Sequence, residues 1–412
     1  MQLTEHTKAY RARVVVLLML AYTSGYIDRY ALTILMPDVA RTFSVGDSVM
    51  GFLVGPAFAL FFTLAGLPVA RLADRYPRAR ILAIGCVVWS AFTLLSGCAR
   101  TVTEFALARL GVGLGEAACL APSYSLIADT FPRGRRSLAV GFFNQSVYLG
   151  QIAGLWWGGA LAAVGGWRMT YFAIGVPGLI VAPLVWWLIR EPQKRGQDQA
   201  DAFWPVAQRI VRTQGFSALV VGAAAATFAG MGFAYFMPTL LRRVHGMAQA
   251  EVGQRFGLLW GLSSMGGALL AGLLAQPGQR RGAVAPMRVS SVSVVLTMLG
   301  IFAVCAAPDA GSALLWVVPT GLANGAWLVP VQAALQDMVA ETERATAVAV
   351  FACLSLVVGF LGPWCVGALS DAFGWVAGGR GLALAMAMVA LASLVSAAGF
   401  HRAHRWLRTL SV

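Results

Sequence analysis

The sequence predicts an all-α integral membrane protein with twelve transmembrane helices in two pseudo-symmetric six-helix bundles. Three observations predict this class: the composition, the number of long apolar segments and an internal repeat. Of the 412 residues, 58% are hydrophobic and 12% are charged, whereas a soluble domain carries about 25% charged residues. Each apolar segment is close to the ~20 residues that a helix needs to cross the hydrocarbon core of a bilayer.

The twelve apolar segments leave room for short connections and one longer central loop. They run over about 14–36, 47–70, 79–98, 103–129, 136–163, 168–189, 215–242, 250–274, 286–307, 311–339, 343–370 and 381–401. We therefore divide the chain into a first bundle (1–190), a cytoplasmic central loop (191–214) and a second bundle (215–412). The first segment is too long for a cleavable signal peptide.

An even number of spans puts both termini on the same side of the membrane. Most Lys and Arg residues of the loops fall on that side, so the positive-inside rule predicts cytoplasmic termini. This placement explains the net charge of +14 without a nucleic-acid partner. We expect a multi-pass protein of the inner (plasma) membrane of a bacterium.

The two halves match when the sequence is shifted by 208 residues. The matched pairs are Pro122 with Pro330, Asp129 with Asp337, Arg136 with Arg344, Gly154 with Gly362, Gly159 with Gly367 and Trp167 with Trp375. Six spans per copy give the two copies the same orientation in the membrane. Transporters built in this way bind substrate at mid-depth between the halves and rock one half against the other.

Four charged residues lie inside apolar segments: Asp28 and Arg29 in the first, and Arg109 and Glu116 in the fourth. Each costs about 2.5–3.5 kcal/mol at the bilayer centre, so such residues usually face a cavity and a partner. Asp28 and Arg109 have the same predicted depth and can pair if their helices are neighbours, Glu116 lies deeper, and Arg29 has no evident partner. We expect Asp28 and Glu116 to carry protons, with Arg109 as their switchable partner. The alternative is a static buried ion pair that only holds helices together.

A set of aromatic and polar residues in the spans predicts a substrate cavity with sparse hydrogen-bonding groups, which suits an amphipathic ligand. The candidates are Tyr22, Tyr26, Tyr30, Asn144, Tyr148, Gln151, Tyr235, Asn324, Trp327 and Ser355. For any single member the alternatives remain open, because polar residues also join membrane helices and tyrosines anchor them at interfaces.

Three segments resemble motifs of the major facilitator superfamily. The loop 70–80 reads Ala-Arg-Leu-Ala-Asp-Arg-Tyr-Pro-Arg-Ala-Arg and is similar to the superfamily's G-x-L-a-D-R-x-G-R-R loop. The segment 109–116 is similar to its intramembrane arginine motif. The fifth span carries the glycine row of the superfamily's antiporters at Gly141, Gly150, Gly154 and Gly158, with Leu155 in place of the usual proline.

The resemblance implies the twelve-helix fold of that superfamily. The charged residues of the cytoplasmic loops are candidates for a gate on that side. We expect this gate to consist of Asp74, Arg75, Arg78, Arg133 and Arg136, with Asp74 capping a helix of the opposite half and pairing with one of the last two. The alternative for the arginines is topological anchoring alone.

Within the superfamily, three shorter matches resemble the Spinster family. They are Tyr26-Ile27-Asp28-Arg29-Tyr30 with Pro37, Gly113-Leu114-Gly115-Glu116-Ala117, and Arg190-Glu191-Pro192. That resemblance implies a proton-linked carrier of lysophospholipids and sphingolipid-type amphiphiles. Similar first-span and fourth-span motifs also occur in organic-anion:proton symporters.

The leading hypothesis is therefore a proton-coupled secondary active transporter of lipid-like solutes, working by alternating access. The alternatives are a proton symporter or antiporter of small organic anions or drugs, a non-transporting sensor, and an intramembrane lipid enzyme. The spans contain no nucleophile–base pattern, no metal-ligand spacing and no phosphate-binding glycine loop. We expect no cofactor apart from protons as the coupling ion, membrane lipids and the substrate as the partners, and a monomer.

Overall fold

The computed structural model describes residues 7–191, 203–280, 287–340, 343–375 and 380–410, and the regular structure in these ranges is helical. The helices are α1 (Lys8–Phe43), α2 (Asp47–Phe52), a π-helix (Leu53–Ala57), α3 (Phe58–Arg75), α4 (Arg78–Cys98), α5 (Val102–Thr130), α6 (Arg133–Asn144), α7 (Ser146–Leu188), α8 (Phe203–Arg212), α9 (Phe216–Arg243), α10 (Gln249–Arg280), α11 (Met287–Ala306), α12 (Ala310–Ala326), α13 (Leu328–Asp337), α14 (Arg344–Gly359), α15 (Leu361–Ala372), α16 (Arg380–Ala390) and α17 (Ala392–Leu410).

The described helices account for the twelve predicted spans. Ten helical segments of the described chain are long and apolar enough to cross a membrane. One of them, Gly134–Leu188, has 55 residues and breaks at Gly166, whose φ of 73° lies in the left-handed region that glycine tolerates. This break separates the fifth span from the sixth, and α1, with 36 residues, supplies the first span. The predicted fold class is confirmed, while the side of the membrane on which the termini lie stays a prediction.

The chain forms two compact units. The first contains Met1–Ser44, Ala57–Gly196 and Gln249–Gly257, and the second contains Val45–Pro56, Gln197–Ala248 and Leu258–Val412. The units follow the predicted bundles except at two short segments. Val45–Pro56, from the predicted first bundle, belongs to the second unit, and Gln249–Gly257, from the predicted second bundle, belongs to the first unit. The π-helix, with Pro56 inside it, lies where the second span passes from one unit to the other.

In the first unit, glycines bring α7 into close contact with α1. A Cβ added at Gly150 would lie 2.4 Å from Cβ of Tyr26, and one added at Gly154 would lie 2.6 Å from the carbonyl oxygen of Ile27. By contrast, a Cβ added at Gly141 would meet nothing within 4 Å. Small residues allow this kind of backbone approach in membrane helices. The contact fixes the part of α1 that carries Asp28.

In the second unit, hydrogen bonds from a cluster of polar residues hold the first residues of α2 in place. The carboxylate of Asp371 accepts hydrogen bonds from the backbone N–H groups of Asp47 and Ser48, at 2.9 and 2.8 Å. The Asp47 carboxylate in turn accepts two bonds from Arg243, at 2.6 and 2.8 Å, and one from Ser370 at 2.7 Å. An acid that accepts from a helix N-terminus stabilises the first turn.

Gly159 and Gly367, which match in the sequence repeat, each lie against the backbone of another segment. A Cβ added at Gly367 would lie 2.2 Å from the carbonyl oxygen of Asp47, and one added at Gly159 would lie 2.7 Å from that of Gln249. Each glycine therefore gives space to the backbone of the segment that its unit takes from the other bundle. The sequence match at this position has a packing cause.

Candidate functional site

Asp28 and Arg109 form a buried, bidentate ion pair in the first unit. The Arg109 guanidinium donates to Asp28 Oδ1 at 3.0 Å and to Oδ2 at 2.5 Å. Their side chains are 1% and 4% exposed. The pairing expected from their common depth is present. The hydroxyl of Thr93, on α4, donates to the same Asp28 Oδ1 at 2.9 Å.

Arg29 pairs with Glu116, which corrects the expectation that Arg29 has no evident partner. An Arg29 N–H donates to Glu116 Oε2, and the side chains are 11% and 6% exposed. The guanidinium also lies 4.3 Å from the ring centroid of Phe58 and 4.6 Å from that of Tyr26, distances at which a cation is attracted by the ring face. Arg109 is thus bonded to one acid, and Glu116 has its own arginine.

One oxygen of Glu116 is distinct from the rest of this cluster. Oε1 is buried and has no hydrogen-bond partner among the described residues, although buried polar atoms are almost always paired. Gly25 faces this carboxyl, since a Cβ added there would lie 3.4 Å from Glu116 Cδ. The site therefore offers a carboxylate oxygen that can take a proton with no bond to break.

The four charges form a neutral set of two pairs. Burying one such pair costs several kcal/mol per ion unless its geometry and hydrogen bonds compensate, and removing one partner leaves an uncompensated charge. Protonation of either carboxyl has the same effect, because its arginine then lacks a counter-ion. The arrangement is therefore able to convert proton binding into movement of an arginine side chain.

The aromatic residues of the first span lie in a row beside this cluster. Tyr22 stacks on Phe143 with ring centroids 4.9 Å apart, and its hydroxyl lies 3.4 Å from that of Tyr26. Tyr26 stacks on Tyr30 with centroids 6.3 Å apart. The Asn144 side chain accepts a bond of 2.9 Å from Tyr124, a residue that the sequence pattern did not single out.

The other polar candidates of the fifth span are more weakly defined. Tyr148 is half-buried, and Gln151 is buried at 2% exposure. The Nε2 of Gln151 has no hydrogen-bond partner within the described ranges. Their role in a substrate cavity therefore stays a prediction.

In the second unit, two of the four cavity candidates belong to its interior. Trp327 stacks on Phe400 at 5.9 Å and is part of a core cluster, and Tyr235 is 1% exposed. Asn324 is half-buried and lies beside Gly230. The Ser355 hydroxyl is buried without a hydrogen-bond partner in the part of the chain that the structure describes.

Of the predicted cytoplasmic gate residues, the three whose side chains the structure describes have different surroundings. Arg78 is buried and donates to Glu191 at 2.8 Å and to Asp129 at 2.6 Å, so it ties together parts of the first unit. The Arg75 side chain is exposed, and Arg136 donates to the Phe131 carbonyl oxygen at 3.1 Å. The side chains of Asp74 and Arg133 lie outside the described residues.

Sequence reasoning missed several partners of these residues. Glu191 was part of a quoted motif and Asp129 of the repeat, so both carried a signal that was not connected to Arg78. Thr93 and Phe58 carried none, because a single Thr or Phe in an apolar span fits ordinary packing. Only the tertiary contacts show that Thr93 meets Asp28 and Phe58 meets Arg29.

Comparison with known proteins agrees with this fold. The family model of the Major Facilitator Superfamily matches residues 18–363. A crystal structure of a bacterial homologue of the human lysosomal transporter Spinster, in an inward-facing and unoccupied conformation, superposes with a TM-score of 0.88 and 27% identity, covering 98% of this chain and 99% of that one.

Two curated relatives cover most of the chain. An MFS-type efflux pump of Mycolicibacterium smegmatis is 30% identical over 92% of this chain and 90% of its own length. The sphingosine-1-phosphate transporter SPNS2 of Danio rerio is 27% identical over 84% and 73%. The protein is a multi-pass transporter of a bacterial plasma membrane and not an enzyme. The chain belongs to the Major Facilitator Superfamily, and within it resembles the Spinster transporters.

Proposed function

We propose that the protein is a proton-coupled secondary active transporter of amphipathic, lipid-like solutes of the lysophospholipid or sphingolipid type, working by alternating access. The observation that carries the proposal is the pair of buried acid–arginine contacts, Asp28 with Arg109 and Glu116 with Arg29. Intramembrane ionisable residues are expensive and usually functional. Four of them meet in one unit of this chain.

Coupling begins with protonation of Glu116 at Oε1, which has no hydrogen-bond partner among the described residues. A proton on Glu116 removes the charge that holds Arg29. The guanidinium, already against the faces of Tyr26 and Phe58, then becomes available to an anionic headgroup. Protonation of Asp28 releases Arg109 in the same way, so each arginine is a switchable partner of its own acid.

The substrate class is argued from the surroundings of Arg29. A guanidinium, which recognises phosphate or carboxylate, lies over the ring of Tyr26. Tyr26 stacks on Tyr30 and meets Tyr22 edge to face. A charged group beside an apolar aromatic surface suits a molecule with an anionic head and a hydrocarbon body. The relative SPNS2 is a sphingosine-1-phosphate transporter, which supports the same class.

The test is uptake of a fluorescent lysophospholipid into proteoliposomes under an imposed pH gradient. We expect Glu116→Gln and Asp28→Asn each to reduce gradient-driven uptake by about tenfold or more, because the amide side chain does not take up the proton that drives transport. Glu251→Gln is the matched control, since Glu251 belongs to an exposed pair with Arg255 at 3.1 Å, and it should behave as the wild type. Undiminished uptake by both site variants would refute the proposal.

A second candidate is proton-linked symport or antiport of small organic anions or drugs. The charge of Arg29 suits a small carboxylate as well as a headgroup, and one relative is described as an efflux pump. Thermal stabilisation of the purified protein separates the two candidates. Stabilisation by lysophospholipid supports the first, and stabilisation by a small carboxylate without any effect of lysophospholipid supports the second.

A further inference from the structure

Thr93 donates a hydrogen bond to Asp28 and has no role in the proton cycle proposed above. Its Oγ1 lies 2.9 Å from Asp28 Oδ1 and 2.8 Å from the carbonyl oxygen of Trp89 on its own helix. Thr93 and Asp28 are each 1% exposed. A hydroxyl has one proton to donate and two lone pairs that accept, so Thr93 is able to donate to only one of these two oxygens at a time.

The charged and titratable groups around Asp28 come from three helices. Arg109 and Glu116 lie on α5, and Arg29 follows Asp28 on α1. Tyr171 on α7 has its ring centroid 5.7 Å from the Arg109 guanidinium carbon, and its hydroxyl has no hydrogen-bond partner among the residues described. Thr93 differs from all of these, because it contacts the Asp28 carboxylate directly and carries no charge of its own.

The two oxygens that Thr93 faces suit the two protonation states of Asp28. When Asp28 is ionised, the Thr93 hydroxyl donates to Oδ1 beside the Arg109 N–H. When a proton arrives on Oδ1, the carboxylic acid donates to Thr93 Oγ1, and the Thr93 hydroxyl turns to the Trp89 carbonyl. Thr93 keeps its own proton throughout, and no buried donor or acceptor of this pair is left without a partner in either state.

We propose that Thr93 is a positioning residue that sets the proton affinity of Asp28 by reversing its hydrogen bond when Asp28 changes protonation state. This inference rests on the proposed proton coupling and adds to it a residue that tunes the pH at which coupling occurs. A hydrogen bond to a charged group is the stronger of the two kinds. The hydroxyl therefore favours the ionised acid, while it also gives the protonated acid an acceptor.

The test is the pH profile of uptake of lysophosphatidylglycerol, an anionic lysophospholipid, by proteoliposomes. Thr93→Val keeps the branched shape and removes the hydroxyl, so we expect the midpoint of the profile to move to higher pH by roughly 0.5–1 unit. Thr93→Ser keeps the hydroxyl and should restore the wild-type midpoint. The matched control is Thr297→Val, because the buried Thr297 hydroxyl donates to the Ser293 carbonyl oxygen of its own helix at 2.9 Å.

The outcomes separate this inference from the function on which it rests. A wild-type profile that does not change with pH refutes the proton coupling and this inference together. A pH-dependent wild type whose midpoint is unchanged in Thr93→Val overturns the role of Thr93 alone.

A spectroscopic measurement is independent of the substrate and serves if a variant transports poorly. The carbonyl stretch of protonated Asp28, identified by its loss in Asp28→Asn, should shift in infrared difference spectra of Thr93→Val, because the acid loses its acceptor. An unshifted band would overturn the proposal.

Discussion

Replacing Gly154 by Ala tests whether the contact between α1 and α7 positions the buried charges. The added Cβ would lie 2.6 Å from the carbonyl oxygen of Ile27 and 3.0 Å from Cβ of Tyr30. These two residues flank Asp28 and Arg29 in the sequence. Overpacking of this kind costs about 1–3 kcal/mol. The gain in helix propensity from Gly to Ala is about 1 kcal/mol, so we expect a net destabilisation of about 0–2 kcal/mol.

Gly141→Ala is the matched control in the same span. A Cβ there meets nothing within 4 Å, so only the propensity gain of up to about 1 kcal/mol applies. The two variants should therefore differ by about 1–3 kcal/mol in the free energy of unfolding. Denaturant titration of the detergent-solubilised protein, followed by fluorescence of its 13 tryptophans, measures this difference. Equal stabilities of Gly154→Ala and Gly141→Ala would refute the packing argument.

Three further predictions concern charged residues away from the proposed proton site. Arg78→Gln should lower the free energy of unfolding by about 1–3 kcal/mol in the same titration, because it leaves two half-buried carboxylates without their arginine; an unchanged value would contradict this. Asp47→Ala removes the acceptor of Arg243 and should cost about 1–2 kcal/mol, whereas Asp47→Asn should recover part of it. Hydrogen bonds from the Ser312 N–H and hydroxyl lower the pKa of Asp309, so this carboxylate stabilises the fold above its unfolded pKa of about 3.9 and loses that effect as the pH falls through the lower native pKa. Asp309→Ala should therefore be less stable than the wild type at pH 7, and the difference in the free energy of unfolding should become smaller as the pH falls below the unfolded pKa. A difference that does not depend on pH would refute the assignment.

The partner of Arg29 shows what depth alone leaves out of a sequence argument. Position along a helix, at 1.5 Å per residue, correctly brought Asp28 to the level of Arg109. The rotation of the first span about its axis was left out of that argument. Consecutive residues differ by about 100° around a helix with 3.6 residues per turn, so Asp28 and Arg29 face different partners. Glu116 lies about 10 Å along the axis from Arg109, and one arginine does not span that distance to serve both acids.

Burial of single aromatic residues was beyond the reach of the sequence. Tyr26 and Trp327 are both aromatic residues in predicted spans, yet Tyr26 lies beside Arg29 while Trp327 packs on Phe400 in a core. Composition and periodicity do not distinguish an aromatic residue of the core from one beside the buried charges. Only tertiary packing does. The fold class needed only the apolar segments and the repeat, which is why it could be predicted throughout the chain.

The exchange of short segments between the units could not be predicted either. Residues 45–56 follow the first span directly in the chain, and sequence reasoning therefore placed them in the first bundle. In the structure they belong to the second unit, where Asp47 meets Arg243 and Gly367 gives space to its backbone. The matched glycines at 159 and 367 marked the repeat, but their contacts are visible only in three dimensions.

Proton movement driven by the substrate tests the central claim most directly. Proteoliposomes are loaded with a pH-sensitive dye, and lysophospholipid is added without an imposed pH gradient. We predict a change of internal pH with the wild type that is abolished when Asp28→Asn and Glu116→Gln are combined, while Glu251→Gln leaves it unchanged. Substrate transport by the wild type without any change of internal pH would contradict proton coupling at these two acids.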